Sequence, residues 1–168
     1  LTSYASSTKD SNFCSLTQNA FALLEQPATP PSVFISYKQT ESSALALLIE
    51  SRLKNVDENI SIFIDKNIAS GESINSRIED ALGQSRHFIC LIGANTLSSP
   101  AVQLEIELAK KDADRTIIPI CHNGYTPDDT YVRYFSDNKA IVIKQPDSAE
   151  EYETNMTKLL IRLGYSTV

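Results

Sequence analysis

Short β-branched runs alternate with longer helical stripes after Pro31, and this alternation constrains the fold more than any other feature of the sequence. Such alternation is typical of a parallel sheet covered by helices on both faces. Strands are predicted at residues 33–37, 60–64, 87–92, 116–120 and 140–143. Each run is short and apolar, which predicts that all of these strands are buried. We therefore expect a flavodoxin-like, doubly wound α/β fold with a parallel five-stranded sheet in the order 2-1-3-4-5.

Between the strands, apolar residues recur at steps of three and four, which predicts amphipathic helices over residues 45–56, 74–82 and 152–163. The last helix has Ser148 three residues before Glu151, a capping-box pattern, and Gly164 where a C-terminal cap is expected. Residues 121–139 contain Gly124 and Pro127, and we interpret them as a long irregular connection.

The first 31 residues differ in composition from the rest of the chain. They are rich in Ser, Thr, Asn and Pro and end in a proline-rich stretch that a helix cannot cross. We interpret residues 1–31 as a tail or linker, in which residues 13–24 could form a short helix, and residues 32–168 as one domain. The start at Leu1 rather than Met suggests a piece of a longer protein.

Charge and cysteine content exclude several classes of protein. Fifteen Lys and Arg against 21 Asp and Glu give a formal net charge of −6, which argues against nucleic acid or anionic lipid as the primary partner. No run approaches the roughly 20 apolar residues of a transmembrane helix, so we expect a cytoplasmic protein. Cys14, Cys90 and Cys121 are odd in number and far apart, which favours reduced thiols over disulfides or a zinc site.

The motifs of common nucleotide enzymes are missing. The five glycines are widely separated, so neither the dinucleotide fingerprint nor a phosphate loop is present. A phosphorylated receiver domain needs an acidic pair after its first strand, where this chain has Ser36, Tyr37 and Lys38. His87 and His122 are the only histidines, and we interpret both as structural rather than as parts of a nucleophilic triad.

One carboxylate stands out in the helix predicted to start after Ser99 and Pro100. At about 100° per residue, Glu105 is the only charged residue on the arc that carries Val102 and Ile106. A carboxylate in such surroundings must be paired, lie in a cleft or take up a proton. Helix geometry alone does not distinguish two explanations for a charge at this position: an ion pair with Lys or Arg of a neighbouring helix, or a functional role. In a sheet of order 2-1-3-4-5, however, ligands bind where the first and third strands diverge, which is where this helix begins.

Four segments resemble, in order, the conserved boxes of the Toll/interleukin-1 receptor (TIR) domain family. The resemblance extends from about Ser32 to the end of the chain. Its segments are Val-Phe-Ile-Ser-Tyr-Lys at 33–38, Phe-Ile-Asp at 63–65 with Gly71 and Glu72, Ala-Leu at 81–82 before Ser-Arg-His-Phe at 85–88, and Val-Gln-Leu-Glu-Ile at 102–106.

The resemblance is closest to the family members that cleave the nicotinamide–ribose bond of NAD+, which act in bacterial antiviral defence, plant immunity and axon degeneration. It places Glu105 at the catalytic position, in a pattern where Ala101 replaces the family's tryptophan. It implies NAD+ as substrate, with no other cofactor and no metal. Residues around the first strand and the helix start are the candidates for substrate binding: Phe34, Ser36, Tyr37, Lys38 and Ser99. Phe34 is also a candidate for core packing, an interpretation that we favour.

The same resemblance implies self-association. Residues 65–73 correspond to the family's BB loop, which packs against a neighbouring subunit and here includes Asp65, Ile68, Gly71 and Glu72. We expect activity to depend on TIR–TIR contacts imposed by an upstream sensing domain, in immune or antiviral signalling. A non-enzymatic TIR adaptor is the alternative, and an enzyme similar to nucleoside deoxyribosyltransferases comes third. The sequence leaves the product open, as linear ADP-ribose, a cyclic form or a base-exchanged dinucleotide.

Overall fold

The computed structural model describes residues 24–25, 31–64, 72–136, 138–145 and 147–167. The strands are β1 (Leu24–Glu25), β2 (Ser32–Tyr37), β3 (Ser61–Ile64), β4 (His87–Ile92), β5 (Thr116–Cys121), β6 (Ile141–Val142) and β7 (Ser166–Thr167). The helices are α1 (Gln39–Val56), α2 (Glu72–Gln84), α3 (Pro100–Lys110), α4 (Asp129–Phe135) and α5 (Ala149–Arg162), and a 3₁₀ turn spans Thr96–Ser98. Among these, no helix combines the length and apolar character needed to cross a membrane.

Five of the strands form one parallel sheet in the order β3-β2-β4-β5-β6. Counted along the domain, this is the order 2-1-3-4-5, and the predicted flavodoxin-like α/β fold is confirmed. The topology follows from the connections, because each crossover between parallel strands contains a helix that must return over one face of the sheet.

Two apolar layers cover the sheet. Val33, Ile35 and Tyr37 of β2 belong to the layer that also contains residues of α1 and α5. Phe34 belongs to the opposite layer, with residues of α2, α3 and α4. Since successive strand residues point to opposite faces, Ser36 lies on the Phe34 side, beneath α3.

The prediction that all strands are buried is wrong for β3. Ser61 is exposed, and Ile62, Phe63 and Ile64 are only half-buried. The reason is position, since β3 is one of the two edge strands of this sheet and, among the described residues, pairs only with β2. A short apolar run therefore does not by itself distinguish an edge strand from a central one.

The prediction of an irregular connection over residues 121–139 is also wrong, because this segment contains α4. Asp128 caps the helix by accepting a hydrogen bond from the Tyr131 N–H at 2.9 Å. Tyr131 and Phe135 lie one turn apart, and both are buried against the sheet. A helix of seven residues can therefore form here, because it is capped and buries two aromatic side chains against the sheet.

The caps predicted for α5 are confirmed at its C-terminus and in part at its N-terminus. The capping box is incomplete, because the Ser148 N–H donates to the Gln145 carbonyl and the Glu151 carboxylate accepts from the Lys144 and Gln145 N–H groups. Ser148 Oγ accepts from the Glu151 N–H at 3.2 Å, and Gly164 adopts a φ of 98°. The Tyr165 and Gly164 N–H groups donate to Leu160 and Ile161 carbonyls, the pattern of a Schellman cap.

The N-terminal segment is described only at Leu24–Glu25 and from Pro31 onward. Leu24 and Glu25 pair antiparallel with Thr167 and Ser166, so the predicted helix over residues 13–24 does not include Leu24. The remainder of that predicted helix and the proline-rich connector up to residue 30 lie outside the described residues.

Candidate active site

Glu105 lies on the face of α3 that packs against the sheet. Val102, Ile106 and Ala109 are buried on the same face, which matches the apolar arc predicted from the sequence. Ser99 takes the N-cap position and Pro100 is the first helical residue, although the Ser99 side chain makes no capping hydrogen bond. The Glu105 side chain is 3% exposed, so its carboxylate is turned into the protein and away from bulk solvent.

Ser36, near the end of β2, contacts this carboxylate. Its hydroxyl donates a hydrogen bond to Glu105 Oε2, between side chains that are both buried. In the neighbouring strand Ser36 is paired with Cys90. Burial raises the pKa of the Cys90 thiol, and the negative charge of Glu105 raises it further. The central strands therefore place a hydroxyl and a protonated thiol beside one buried carboxylate.

The two aromatic candidates do not form an open surface. Phe34 is fully buried, and its ring centroid lies 5.0 Å from that of Phe63 and 5.8 Å from that of Phe88, in stacked pairs. Tyr37 belongs to the opposite core layer, away from Glu105. Phe34 thus packs in the core, which is the interpretation favoured from the sequence. The expectation of an accessible aromatic surface is corrected for Tyr37, because successive strand residues point to opposite faces and its ring lies on the face away from Glu105.

The remaining predicted residues are placed as follows. Lys38 is half-buried and takes the N-cap position of α1, at the same edge of the sheet as Ser36. Ser99 is also half-buried at that edge. Asp65, Ile68 and Gly71 lie outside the described residues, and Glu72 is described only as the first residue of α2.

Sequence reasoning missed Glu41, in the first turn of α1. Its carboxylate accepts hydrogen bonds from the Asn95 N–H at 2.9 Å, from Asn95 Nδ2 at 2.7 Å and from Thr96 Oγ1 at 2.9 Å. These donors belong to the loop between β4 and α3. The first helix is thus tied to the loop from which the helix carrying Glu105 begins. A contact across 54 residues leaves no trace in local periodicity, and only the acidic first turn of the helix could have drawn attention to it.

A second connection joins α1 to the loop after β5. Ser42 Oγ lies 2.7 Å from His122 Nε2, and both residues are buried. Asn123 Nδ2 donates to the Glu41 carbonyl at 3.4 Å. Burial lowers the pKa of His122, which favours the neutral ring. The first turn of α1 therefore contacts both loops that follow the central strands.

Within the described ranges, no group of three His, Cys, Asp or Glu side chains could hold a metal ion. The site contains a buried carboxylate and a hydroxyl hydrogen-bonded to it. The start of α1 and the loops after β4 and β5 meet at the same carboxyl edge of the sheet.

These features define a class: a doubly wound α/β domain with a polar site where the first and third strands diverge. The sequence model of the TIR domain family matches residues 33–160, and the chain belongs to this family. A search of curated proteins finds no match.

Three solved structures are similar to the chain at low sequence identity. A conserved protein from Enterococcus faecalis V583 is 10% identical, with a TM-score of 0.51 over 79% of this chain and 100% of that one. The TIR domains of the activated Roq1 resistosome, which directly recognises the pathogen effector XopQ, are 18% identical, with a TM-score of 0.48 over 77% of this chain and 82% of that one. The Clostridium botulinum CMP N-glycosidase BcmB is 16% identical, with a TM-score of 0.49 over 76% and 97%.

Proposed function

We propose that the chain is a TIR-domain NAD+ nucleosidase that cleaves the nicotinamide–ribose bond, with Glu105 as the catalytic residue. The observation that carries this proposal is the buried Glu105 carboxylate, which accepts a hydrogen bond from Ser36 at the carboxyl edge of the sheet. Burying a carboxylate costs free energy, and groups kept in such surroundings are common at functional sites. Membership of the TIR family suggests a reaction for which one carboxylate is enough.

The reaction needs little besides electrostatic stabilisation. The bond between ribose C1′ and the pyridinium nitrogen breaks, and its electron pair moves to the nitrogen, so nicotinamide leaves as a neutral molecule without a general acid. The ribose passes through an oxocarbenium-like transition state, which a fixed negative charge in a water-poor cleft stabilises. Water then adds to C1′ and loses a proton, giving ADP-ribose; attack by another acceptor would give a cyclic or base-exchanged product.

Ser36 has a part in this scheme through its hydrogen bond. By donating to one carboxylate oxygen, it orients Glu105 for contact with the ribose. A ribose hydroxyl donates in the same way as the serine hydroxyl, so the sugar could take the place of Ser36 or bind beside it. Lys38, at the same edge, is suited to the pyrophosphate.

Activation by self-association is part of the proposal. Residues 65–73 correspond to the family's assembly loop, and a neighbouring copy would contact the site through it. An upstream sensing domain in a cytoplasmic immune or antiviral protein would then control activity by bringing copies together.

The test compares nicotinamide release from NAD+ by the wild type, Glu105→Ala, Glu105→Gln and Glu107→Ala, at high protein concentration with a crowding agent. Glu107 is the matched control because it lies two residues away on the exposed face of α3. We expect both Glu105 variants to lose about 10²- to 10⁴-fold in rate and the Glu107 variant to keep the wild-type rate. Equal turnover by the wild type and Glu105→Gln would contradict the role of Glu105. No release by the crowded wild type would favour an adaptor.

A further inference from the structure

We infer that Glu41 is a positioning residue for Glu105: its carboxylate clamps the loop that starts α3 and thereby fixes the geometry of the Ser36–Glu105 pair. The inference rests on the proposed function for its effect on catalysis, while the clamp itself is a feature of the fold.

The clamp is a convergence of donors on one carboxylate. The Asn95 N–H and Asn95 Nδ2 donate to Glu41 Oε1 at 2.9 and 2.7 Å, and Thr96 Oγ1 donates to Oε2 at 2.9 Å. Thr96 Oγ1 in turn accepts from the Gly93 N–H at 2.9 Å. A charged acceptor suits this arrangement because hydrogen bonds to ionised groups are stronger than neutral ones.

The clamped loop is continuous with the helix that carries Glu105. The 3₁₀ turn Thr96–Ser98 leads directly to Ser99, whose carbonyl accepts from the Gln103 N–H at 2.9 Å. Gln103 Nε2 also donates to the Leu97 carbonyl at 2.7 Å, so the turn and the first turn of α3 form one unit. A displacement of Asn95 and Thr96 would therefore be transmitted to the start of α3.

The other end of the clamp is continuous with Ser36. Glu41 follows Ser36 by five residues, and its N–H donates to the Lys38 carbonyl at 3.0 Å, at the point where β2 passes into α1. The buried Ser42–His122 contact holds the same turn of α1 against the loop after β5. The clamp thus joins the strand that carries Ser36 to the helix that carries Glu105, the two residues whose side chains meet at the site.

Gly93 provides an independent way to disturb the clamp. A Cβ atom at this position would lie 2.9 Å from Glu41 Oε2, closer than real Cβ contacts allow, and 3.4 Å from Glu41 Cδ. The φ of Gly93 is not positive, so alanine is otherwise compatible with the backbone. Gly93→Ala should therefore push the carboxylate aside in the wild type and be harmless once the Glu41 side chain is removed.

The experiment is a double-mutant cycle with Glu41→Ala, Gly93→Ala and the double variant. Glu41→Gln keeps the shape without the charge, and exposed Glu58→Gln serves as the control. The readouts are kcat and KM for nicotinamide release and amide hydrogen exchange at Gly93 and Asn95. For Glu41→Ala we expect kcat to fall at least about tenfold with KM within about threefold of the wild type, and faster exchange at both amides. Gly93→Ala should lower kcat alone but cause no further loss in Glu41→Ala, and Glu41→Gln should be intermediate.

Three results would overturn the inference: unchanged exchange at Gly93 and Asn95 in Glu41→Ala, additive losses in the cycle, or an effect confined to KM. If the wild type releases no nicotinamide, the proposed function fails. The existence of the clamp can then still be tested by amide exchange at Gly93 and Asn95 and by the unfolding free energies of the wild type, the two single variants and the double variant. If Glu41→Ala does not fold, the comparison of Gly93→Ala with Glu41→Gln still decides whether displacing the carboxylate opens the loop.

Discussion

Glu41 and Glu105 lie at the same edge of the sheet in different surroundings. Glu105 is 3% exposed and accepts a hydrogen bond from the Ser36 hydroxyl, whereas Glu41 is half-buried and accepts from two loop residues. Partial burial acts to raise the pKa of Glu41, but hydrogen bonds from Asn95 and Thr96, together with the charge of Lys38, outweigh it and hold the pKa below the ordinary value. The clamp therefore stabilises the ionised carboxylate.

This lowered pKa predicts how the clamp depends on pH. Its contribution to stability is complete above the ordinary glutamate pKa of 4.5 and is lost as the pH falls through the lower folded-state value. We expect Glu41→Gln to melt about 2–4 °C below the wild type near pH 7, for a loss of about 1 kcal/mol, and the difference to vanish in acid. Melting curves from pH 7 to pH 3 check this, with Glu58→Gln expected to match the wild type throughout. A difference that stays constant down to pH 3 would contradict the assignment.

Individual site residues could be predicted only in part. The position of Glu105 on the buried face of α3 was predictable, because a charge on an apolar arc is visible within one helix. The face of the sheet on which Tyr37 lies could also be predicted, because adjacent strand residues point in opposite directions. Ser36 and Tyr37 therefore cannot both face α3. Glu41, Ser42 and His122 could not be found, because their partners come from loops that only the folded sheet brings together.

At the scale of the elements, Arg115 connects the ends of two helices. Its Nε donates to the Ser85 carbonyl at 2.9 Å, Nη2 to the Leu82 carbonyl at 2.6 Å and Nη1 to the Ala109 carbonyl at 2.8 Å. Leu82 lies in the last turn of α2, Ser85 lies just beyond that helix, and Ala109 lies in the last turn of α3. A buried guanidinium thus satisfies acceptors that helix termini leave unpaired, and its positive charge suits the negative ends of both helix dipoles.

Removing this guanidinium should destabilise the fold strongly. We expect Arg115→Ala to lower the free energy of unfolding by about 3 kcal/mol, because three buried carbonyls lose a charged donor. Arg115→Lys should recover only a small part of this, since an ammonium group cannot reproduce the planar fork. Urea denaturation measures both, with exposed Lys111→Ala as the control. A lysine variant as stable as the wild type would show that charge alone, rather than the fork, supports the helix ends.

The elements themselves were largely predictable, and the errors have physical causes. Strands β2, β4 and β5 are rich in β-branched and aromatic residues, and their predicted bounds agree with the structure to within one residue. The short helix α4 was missed because the glycine and proline before it suggested a loop, although Asp128 and the Tyr131–Phe135 spacing were both present as helix signals. The partial exposure of β3 was missed, although the predicted strand order places it at an edge, because its short apolar run was interpreted as a sign of burial.

At the scale of the whole molecule, net charge opposes the proposed self-association. The chain carries a formal charge of −6 at pH 7, so copies repel one another at long range. For copies to associate as proposed, short-range contacts between TIR domains would have to overcome this repulsion, and an upstream domain that holds copies together would supply the necessary local concentration.

The balance between repulsion and contact predicts a dependence on both concentration and salt. If activity requires neighbouring copies, nicotinamide released per chain should rise with protein concentration. At a fixed concentration, it should also rise between about 0.05 and 0.3 M salt, as the screening length falls from about 14 to about 6 Å.

Rate measurements paired with light scattering test this, and Glu105→Ala should assemble like the wild type without turnover. A rate per chain that is constant over a hundredfold range of concentration would mean that a single copy is active. A rate that falls with salt would mean that opposite charges across the interface outweigh the net repulsion.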